Sequence, residues 1–259
     1  YPVIFEKIQS SENTGKCRVK ERGNNTVGEM MKNFKSFFAW MNREGITDNR
    51  PFDTIEIGTQ KYGTPFYITC EERDKIASTP MPTEKLERQR DIFVFQCLVG
   101  CRVSDLRRLT PDNITDGILV YTPHKTKEDG QQSLQARVPL HKKAIELIRK
   151  NAGKDRYGRL FPVTSNVTYN SDIKRIFVLS GINRMVEVRN PVTGEMENRP
   201  INAVASSHLA RRTFVGNLYL KVADPNLIGK MSGHVEGSKS FARYRKIEDE
   251  TLKNVIELL

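Results

Sequence analysis

The chain has 259 residues, of which 37% are hydrophobic, so it can bury at least one sizeable core, and its length leaves one domain or two equally open. It carries 42 lysine and arginine residues against 31 aspartate and glutamate residues, a formal charge of +11 at pH 7. A surface of that sign attracts polyanions, of which nucleic acid is the commonest, although charge alone is weak evidence.

The cysteines argue against a small domain stabilised by zinc or by disulfides. Cys17, Cys70, Cys97 and Cys101 show no paired CxxC spacing, and two of them lie in an apolar run, so we expect reduced core residues. No signal-peptide pattern opens the chain, and no apolar stretch approaches the ~20 residues that cross a bilayer. The sequence therefore predicts a soluble, cytoplasmic protein that makes no membrane contact. Because it begins with Tyr1 and not with Met, we expect that an N-terminal part has been trimmed or left out.

The first strong pattern is an amphipathic helix. Apolar residues recur at three- and four-residue spacing over residues 26–45, where Thr26 and Glu29 are placed as a capping box and Gly45 as the terminator. Such a stripe is more often part of a core than a partner surface, and we expect it to be buried. Residues 45–63 carry turn residues and little periodicity, which predicts a linker between two domains.

The remainder of the chain alternates helices with two short hairpins. Thr69 and Glu72 form a second capping box, and residues 84–99 end in an apolar run that predicts a helix through the core. The other predicted elements are a short helix at 103–109, strands at 118–122 and 134–140 joined by a polar turn, a hairpin at 185–204 around NPVTGE, and helices at 141–152, 168–180, 207–220, 225–231 and 248–258. The sequence predicts a mainly α chain with small β hairpins (α+β), in two segments, 1–62 and 63–259.

Residues suited to phosphoryl transfer occur at five places in the second segment. In chain order they are Arg102, Lys125, the pair His208 and Arg211, His234, and Tyr244. A phosphodiester under attack builds up negative charge on its non-bridging oxygens, and each guanidinium group can meet that charge with two fixed N–H donors. His208 and Arg211 are three residues apart in a predicted helix, so both side chains leave the same face.

A tyrosine hydroxyl, with an ordinary pKa near ~10, attacks phosphorus only when a neighbour accepts its proton or cations favour the phenolate. His208 and His234 suit that task, and a lysine on a hairpin turn can protonate the leaving 5′ oxygen. Each residue alone also has a structural explanation: Asp105 is an obvious ion-pair partner for Arg102, the HxxR pair can cap a helix, and Tyr244 can simply pack. Five coincidences in a fixed order favour a catalytic site.

Four segments resemble the tyrosine recombinase family, which includes phage and mobile-element integrases. They are CLVGCRVSDLRRL, which resembles the family's first arginine box, GILVYTPHKTKEDGQQSLQARVPL, which is similar to its lysine hairpin, SSHLARRTFVGNLYL, which resembles its HxxR box, and MSGHVEGSKSFARYRKI, which resembles its terminal segment from GH to Tyr. The resemblance covers about residues 63–259 and implies a tyrosine recombinase catalytic domain. Residues 1–62 resemble the end of the helical core-binding domain that precedes it.

The resemblance implies a role for each residue of the constellation. Tyr244 is the nucleophile, Arg102 and Arg211 hold the phosphate, Lys125 is the general acid, His208 and His234 assist, and Asp105 matches the acidic position beside the first arginine. Cleavage then gives a 3′-phosphotyrosyl bond and a free 5′ hydroxyl, with no metal or other cofactor. The resemblance further implies double-stranded DNA as substrate, a homotetramer on two DNA sites, accessory DNA-bending proteins as partners, and a bacterial, DNA-associated location.

Three features depart from the family's usual pattern. The spacing from His234 to Tyr244 is one residue longer, with Gly237 as the extra residue, and the long hairpin leaves Lys127 as a rival general acid. The alternating insert at 185–204 is more typical of mobile-element integrases than of the compact resolvases of chromosome dimers. Two other functions stay open: a type IB topoisomerase, which relaxes supercoils by the same chemistry, and a non-catalytic DNA-binding relative.

Overall fold

The structure, a computed structural model, describes residues 21–124, 135–219, 221–222 and 224–233. The chain divides into two compact units, one formed by residues 1–63 with 188–197 and the other by residues 64–187 with 198–259.

The described part of the first unit is built on one helix, α1, Asn24–Arg43. It begins two residues before the predicted start, and its N-cap is Gly23, which offers no side-chain cap. The predicted capping box of Thr26 and Glu29 is therefore wrong, because both residues already lie inside the helix. Gly45, at φ +68°, ends the helix as predicted.

The apolar stripe of α1 is not buried. Among the described residues, no side chain of α1 belongs to a core, and those that stand 43–53% exposed are Val27, Met30, Phe34, Phe37 and Trp40. The prediction of a buried stripe is wrong for this part of the chain. Residues 46–63, which form no helix or strand, leave the stripe open, and their own Ile46 and Ile55 also stand exposed; Phe38 meets Phe52 there with ring centroids 5.9 Å apart.

The second unit is organised around a buried helix, α3, as predicted. Its elements before the sheet are α2, Cys70–Ser78, α3, Glu84–Val99, and the short α4, Val103–Leu106. The capping box at the start of α2 is confirmed, because Glu72 N donates to Thr69 Oγ1 (3.2 Å) and Thr69 N donates to Glu72 Oε2 (2.9 Å). Helix α3 is buried on nearly all sides, and Gly100, at φ +69°, ends it.

A small antiparallel sheet follows α4. Its strands are β1, Ile114–Thr115, β2, Ile118–Tyr121, and β3, Ala136–Pro139, in the order β1-β2-β3, with Tyr121 opposite Ala136. The two predicted strands are confirmed. Strand β1 was not predicted, because two residues are too short to show alternation. The polar turn between β2 and β3 lies mostly outside the described residues.

The remaining elements are α5, Lys142–Asn151, α6, Asn166–Leu179, β4, Met185–Arg189, β5, Met196–Pro200, α7, Ile201–Val204, α8, Ser207–Tyr219, and α9, Pro225–Ser232. The helices among them belong to the second unit, while residues 188–197 of the hairpin β4-β5 belong to the first. Helices α2, α5, α6 and α8 all pack against α3. The predicted hairpin at 185–204 is real but shorter, since β5 ends at Pro200, the N-cap of α7, and proline cannot donate to a strand ladder. The predicted helix at 248–258 lies outside the described residues.

Of the cysteines, Cys97 and Cys101 are buried with free thiols, as predicted, whereas Cys70 is partly exposed and Cys17 lies outside the described residues. No helix in the described part of the chain is long and apolar enough to cross a membrane.

Candidate active site

Arg211 is a buried cation held by the ends of two helices. It lies on α8 with only 3% of its surface exposed. Its Nη1 donates to the carbonyl oxygen of Gly100 (2.9 Å) and to that of Ser232 (2.5 Å). These carbonyls belong to the C-terminal ends of α3 and α9, where unsatisfied oxygens carry partial negative charge. Main-chain dipoles thus offset the cost of burying this guanidinium group.

Two glycines place those carbonyls. Gly100 and Gly233 are the C-caps of α3 and α9, and both have left-handed backbone, at φ +69° and +66°. Side chains disfavour that conformation, which glycine adopts at no steric cost. The sequence therefore ends each helix at a fixed residue and presents its last carbonyls to Arg211.

Arg102 is the N-cap residue of α4 and is partly buried. Its Nη1 is buried and has no hydrogen-bond partner among the described residues. No ion pair joins it to Asp105, so the interpretation of Asp105 as its simple partner is wrong. An unpaired buried N–H of a charged group costs at least ~1–3 kcal/mol, which indicates a place prepared for an anion.

Asp105 serves the neighbouring strand instead. It is 3% exposed, and its Oδ1 accepts a hydrogen bond from the backbone N–H of His124 (2.9 Å). Its Oδ2 is buried without a partner among the described residues. Asp105 and Tyr121 are both among the residues that line a cavity of about 190 Å³. The Asp105 carboxylate thus holds the segment after β2, at His124, against α4.

The pKa values of two neighbours show that these groups lie within electrostatic reach of one another. Burial raises the pKa of the Cys101 thiol to about 12; the negative charge of Asp105 acts in the same direction and Arg211 in the opposite one. Burial also raises the pKa of Tyr121 far above its usual value, against the influence of Arg211 and Arg102. Both groups stay protonated at neutral pH, so neither is a nucleophile. The structure thus brings Arg102, Asp105 and Arg211 together.

His208 lies at the start of the same helix as Arg211 and is exposed. The start of α8 is fixed by Asn170 of α6, whose Oδ1 accepts a hydrogen bond from Ser207 N (2.9 Å). One face of α8 therefore offers an accessible imidazole three residues before the buried arginine.

Lys125, Lys127, His234 and Tyr244 lie outside the described residues. Their nearest described neighbours belong to this site: His124 is bonded to Asp105, and Gly233 packs so closely on Pro123 that an added Cβ would lie 2.6 Å from Pro123 Cγ. A side chain at position 233 would therefore separate the segment before Lys125 from the one before His234.

Several supporting groups had not been predicted as functional. They are the carbonyls of Gly100 and Ser232, the amide of His124 and the hydroxyl of Tyr121. A main-chain acceptor has no sequence signature, because every residue carries one. Only Gly100 gave a signal, as a glycine directly after an apolar helical run.

A mainly helical unit that brings two arginines together, one of them without an anionic partner among the described residues, is suited to binding a phosphate. A family model described as the phage integrase family matches residues 67–251, which is most of the chain. The chain belongs to the phage integrase family, the tyrosine recombinases that cleave and rejoin DNA. The predicted family and the predicted fold are confirmed.

The chain is similar to tyrosine recombinase XerC of Thermodesulfovibrio yellowstonii, at 24% identity over 93% of this chain and 76% of the relative. A lambda integrase dimer bound to a COC′ core site matches at 18% identity with a TM-score of 0.61, covering 95% of this chain and 80% of that one. Lambda integrase as a tetramer bound to a Holliday junction matches at 16% identity with a TM-score of 0.58, covering 91% and 64%.

The XerH site-specific recombinase bound to a palindromic difH substrate matches at 15% identity with a TM-score of 0.53, over 76% of this chain. The present chain spans 54% of the XerH chain's length. These structural likenesses carry the fold.

Proposed function

We propose that this chain is a site-specific recombinase or integrase of a mobile genetic element, which cleaves and rejoins DNA through a 3′-phosphotyrosyl bond to Tyr244. The observation that carries the proposal is the buried Nη1 of Arg102, which has no partner in the described part of the chain, together with the anchored guanidinium of Arg211, both of which act on the pKa of Tyr121. We assign residues 63–259 to the catalytic domain and residues 1–62 to the end of a helical core-binding domain.

In this mechanism the two arginines hold the scissile phosphate. Tyr244 Oη attacks phosphorus, and the bond to the 5′ oxygen breaks as that oxygen takes a proton from Lys125. His208 and His234 assist transfer of the tyrosine proton. A 5′ hydroxyl of a second duplex then attacks the phosphotyrosine and gives its proton back to Lys125, while the bond from phosphorus to Tyr244 Oη breaks and Tyr244 leaves with the proton returned through the histidines.

The arginines contribute through preorganisation. Arg211 is fixed by carbonyls before any substrate arrives, so it need not reorient as charge develops on the non-bridging oxygens. For the general acid, the contact between Asp105 and His124 favours Lys125, because Lys125 directly follows the anchored residue and Lys127 stands two positions further on. Covalent storage of the bond energy explains why the mechanism uses no cofactor.

Covalent trapping tests the nucleophile. Tyr244→Phe should bind DNA normally and form no protein–DNA adduct on a nicked duplex, because only the attacking oxygen is lost. Tyr157→Phe is the matched control, since Tyr157 is 64% exposed, and it should form adduct at the wild-type yield. An undiminished adduct in Tyr244→Phe removes Tyr244 from the role. Absence of adduct in the wild type would favour a non-catalytic DNA-binding relative, and relaxation of a plasmid that carries no recombination site would favour a topoisomerase.

For partners, we propose double-stranded DNA and a homotetramer on two DNA sites, which is supported by the dimeric and tetrameric DNA complexes of lambda integrase. Accessory DNA-bending proteins and a bacterial cytoplasmic location belong to the same proposal. The tail at 248–259 places Leu252, Val255, Ile256 and Leu259 on one face of a predicted helix. Deleting it should preserve single-site binding but abolish complexes with two-site DNA; unchanged two-site complexes would exclude docking on a neighbouring protomer.

A further inference from the structure

Tyr121 carries a hydroxyl that its position does not require. The side chain fills the interior end of β2 with 6% of its surface exposed, and its hydroxyl is buried with no partner among the described residues. Phenylalanine would fill the same apolar space without leaving a buried polar atom unpaired. The hydroxyl therefore has a task beyond packing.

A complementary atom belongs to the same cavity. Asp105 Oδ2 is also buried and unpaired, and Asp105 and Tyr121 both line the cavity of about 190 Å³, which has room for ordered water. A phenol donates one hydrogen bond and a carboxylate oxygen accepts one. The other oxygen of the same carboxylate already holds the amide of His124.

We propose that Tyr121 is a positioning residue of the cleavage site: its hydroxyl donates to a water in the shared cavity that in turn donates to Asp105 Oδ2, and this bridge fixes the carboxylate that anchors His124. The inference rests on the proposed function, because His124 precedes Lys125, the residue assigned as general acid. Tyr121 thus acts through Asp105 on the placement of the proton donor, and it does not contact the phosphate.

The electrostatics of the cluster agree with a donor role. Burial raises the pKa of Tyr121, and Asp105 acts in the same direction. A phenol that keeps its proton near a carboxylate is a hydrogen-bond donor and a poor nucleophile. Tyr121 therefore cannot replace Tyr244 as the attacking group.

The experiment compares cleavage of an ordinary nicked duplex with cleavage of a duplex whose scissile 5′ bridging oxygen is sulfur. A thiolate leaves without a proton, so only defects in proton donation are relieved. Tyr121→Phe should cleave the ordinary duplex about tenfold more slowly, the effect of one lost hydrogen bond, and the sulfur substrate within about twofold of wild type. Introduced into Lys125→Ala, it should slow cleavage no further.

Tyr169→Phe is the matched control, because Tyr169 is also buried in this unit and its hydroxyl donates to Gln96 Oε1 (3.2 Å). It should leave the ratio of the two rates at the wild-type value. A Tyr121→Phe enzyme that is equally slow on both substrates, or not slow at all, overturns the inference. If Lys125→Ala itself is not rescued by sulfur, the general-acid assignment fails, and the inference fails with it for that separate reason.

Discussion

Replacing Gly100 with alanine should destabilise the second unit and misplace Arg211. Gly100 combines a left-handed backbone, φ +69°, with a crowded neighbour. A Cβ built there would lie 2.3 Å from Cδ1 and 2.7 Å from Cγ of Phe214, where ordinary contacts begin near 3.4 Å. Because Cγ is the fixed end of the ring, the overlap cannot be relieved by a flexible tip, and Phe214 or its helix must move.

The loss of unfolding free energy expected for Gly100→Ala has two parts. An alanine at positive φ costs ~1–2 kcal/mol, and a clash in a packed core adds ~1–3 kcal/mol. Gly117 isolates the first part, because it has φ +74° and its added Cβ would meet nothing within 4 Å. We therefore expect Gly100→Ala to lower the free energy of unfolding by ~2–5 kcal/mol and Gly117→Ala by ~1–2 kcal/mol.

Urea unfolding followed by circular dichroism measures the free energy of unfolding of both variants. The yield of protein–DNA adduct per folded molecule measures the activity of the site. Gly100→Ala should also lose adduct yield, because Phe214 lies one helical turn after Arg211 on α8 and the Gly100 carbonyl is an acceptor for that arginine. Adding Phe214→Leu should recover part of both losses. Equal destabilisation by the two glycine substitutions would refute the packing argument.

The remaining predictions concern the acid, the DNA interface and pH. Lys125→Ala should slow cleavage by a factor of ~10²–10⁴, and the sulfur substrate should rescue it, whereas Lys127→Ala should cleave at the wild-type rate. EDTA should change the cleavage rate of neither variant. A slow cleavage rescued by sulfur only in Lys127→Ala would make Lys127 the general acid. DNA affinity should fall steeply with salt, since residues 63–259 carry 32 basic against 23 acidic residues, and a nearly flat slope would contradict a DNA-wrapping surface. The Arg159 side chain, hydrogen-bonded to Asp155, lowers the pKa of that buried carboxyl to about 2, below its unfolded value near ~3.9. The contribution of the ionised carboxyl to the free energy of unfolding is therefore full above pH ~4 and is lost as the pH falls toward 2. Asp155→Asn should therefore cost up to ~2.6 kcal/mol at pH 7, and a difference in unfolding free energy that did not shrink between pH 4 and pH 2 would contradict this.

Local signals made most of the second unit predictable. The capping box at Thr69 and the glycine after α3 act within a few residues, so the sequence pattern contains both the residue and its partner. The stripe on α1 failed because burial depends on what lies opposite, and periodicity alone does not contain that information. The hairpin ended early at Pro200 because a proline overrides alternation.

The candidate site was likewise predictable only in part. Arg102, Asp105, His208 and Arg211 were predicted from motifs, because the chemistry resides in their side chains. What orients two of them was not predictable: Arg211 is held by carbonyls from positions 100 and 232, and Asp105 by the amide of position 124. These are long-range contacts to main-chain atoms, which no residue type encodes.

That dependence on the main chain bears on which substitutions the cradle of Arg211 tolerates. A carbonyl at a helix end is present whatever side chain precedes it, so the cradle of Arg211 survives substitution along α3 and α9 as long as both helices end where they do. The endings depend on Gly100 and Gly233, whose added Cβ atoms would lie 2.3 Å and 2.6 Å from Phe214 and Pro123. Selection on orientation should therefore act on a few glycines and on the arginine itself, while the packing around them drifts, in keeping with a shared fold at only 15–18% identity.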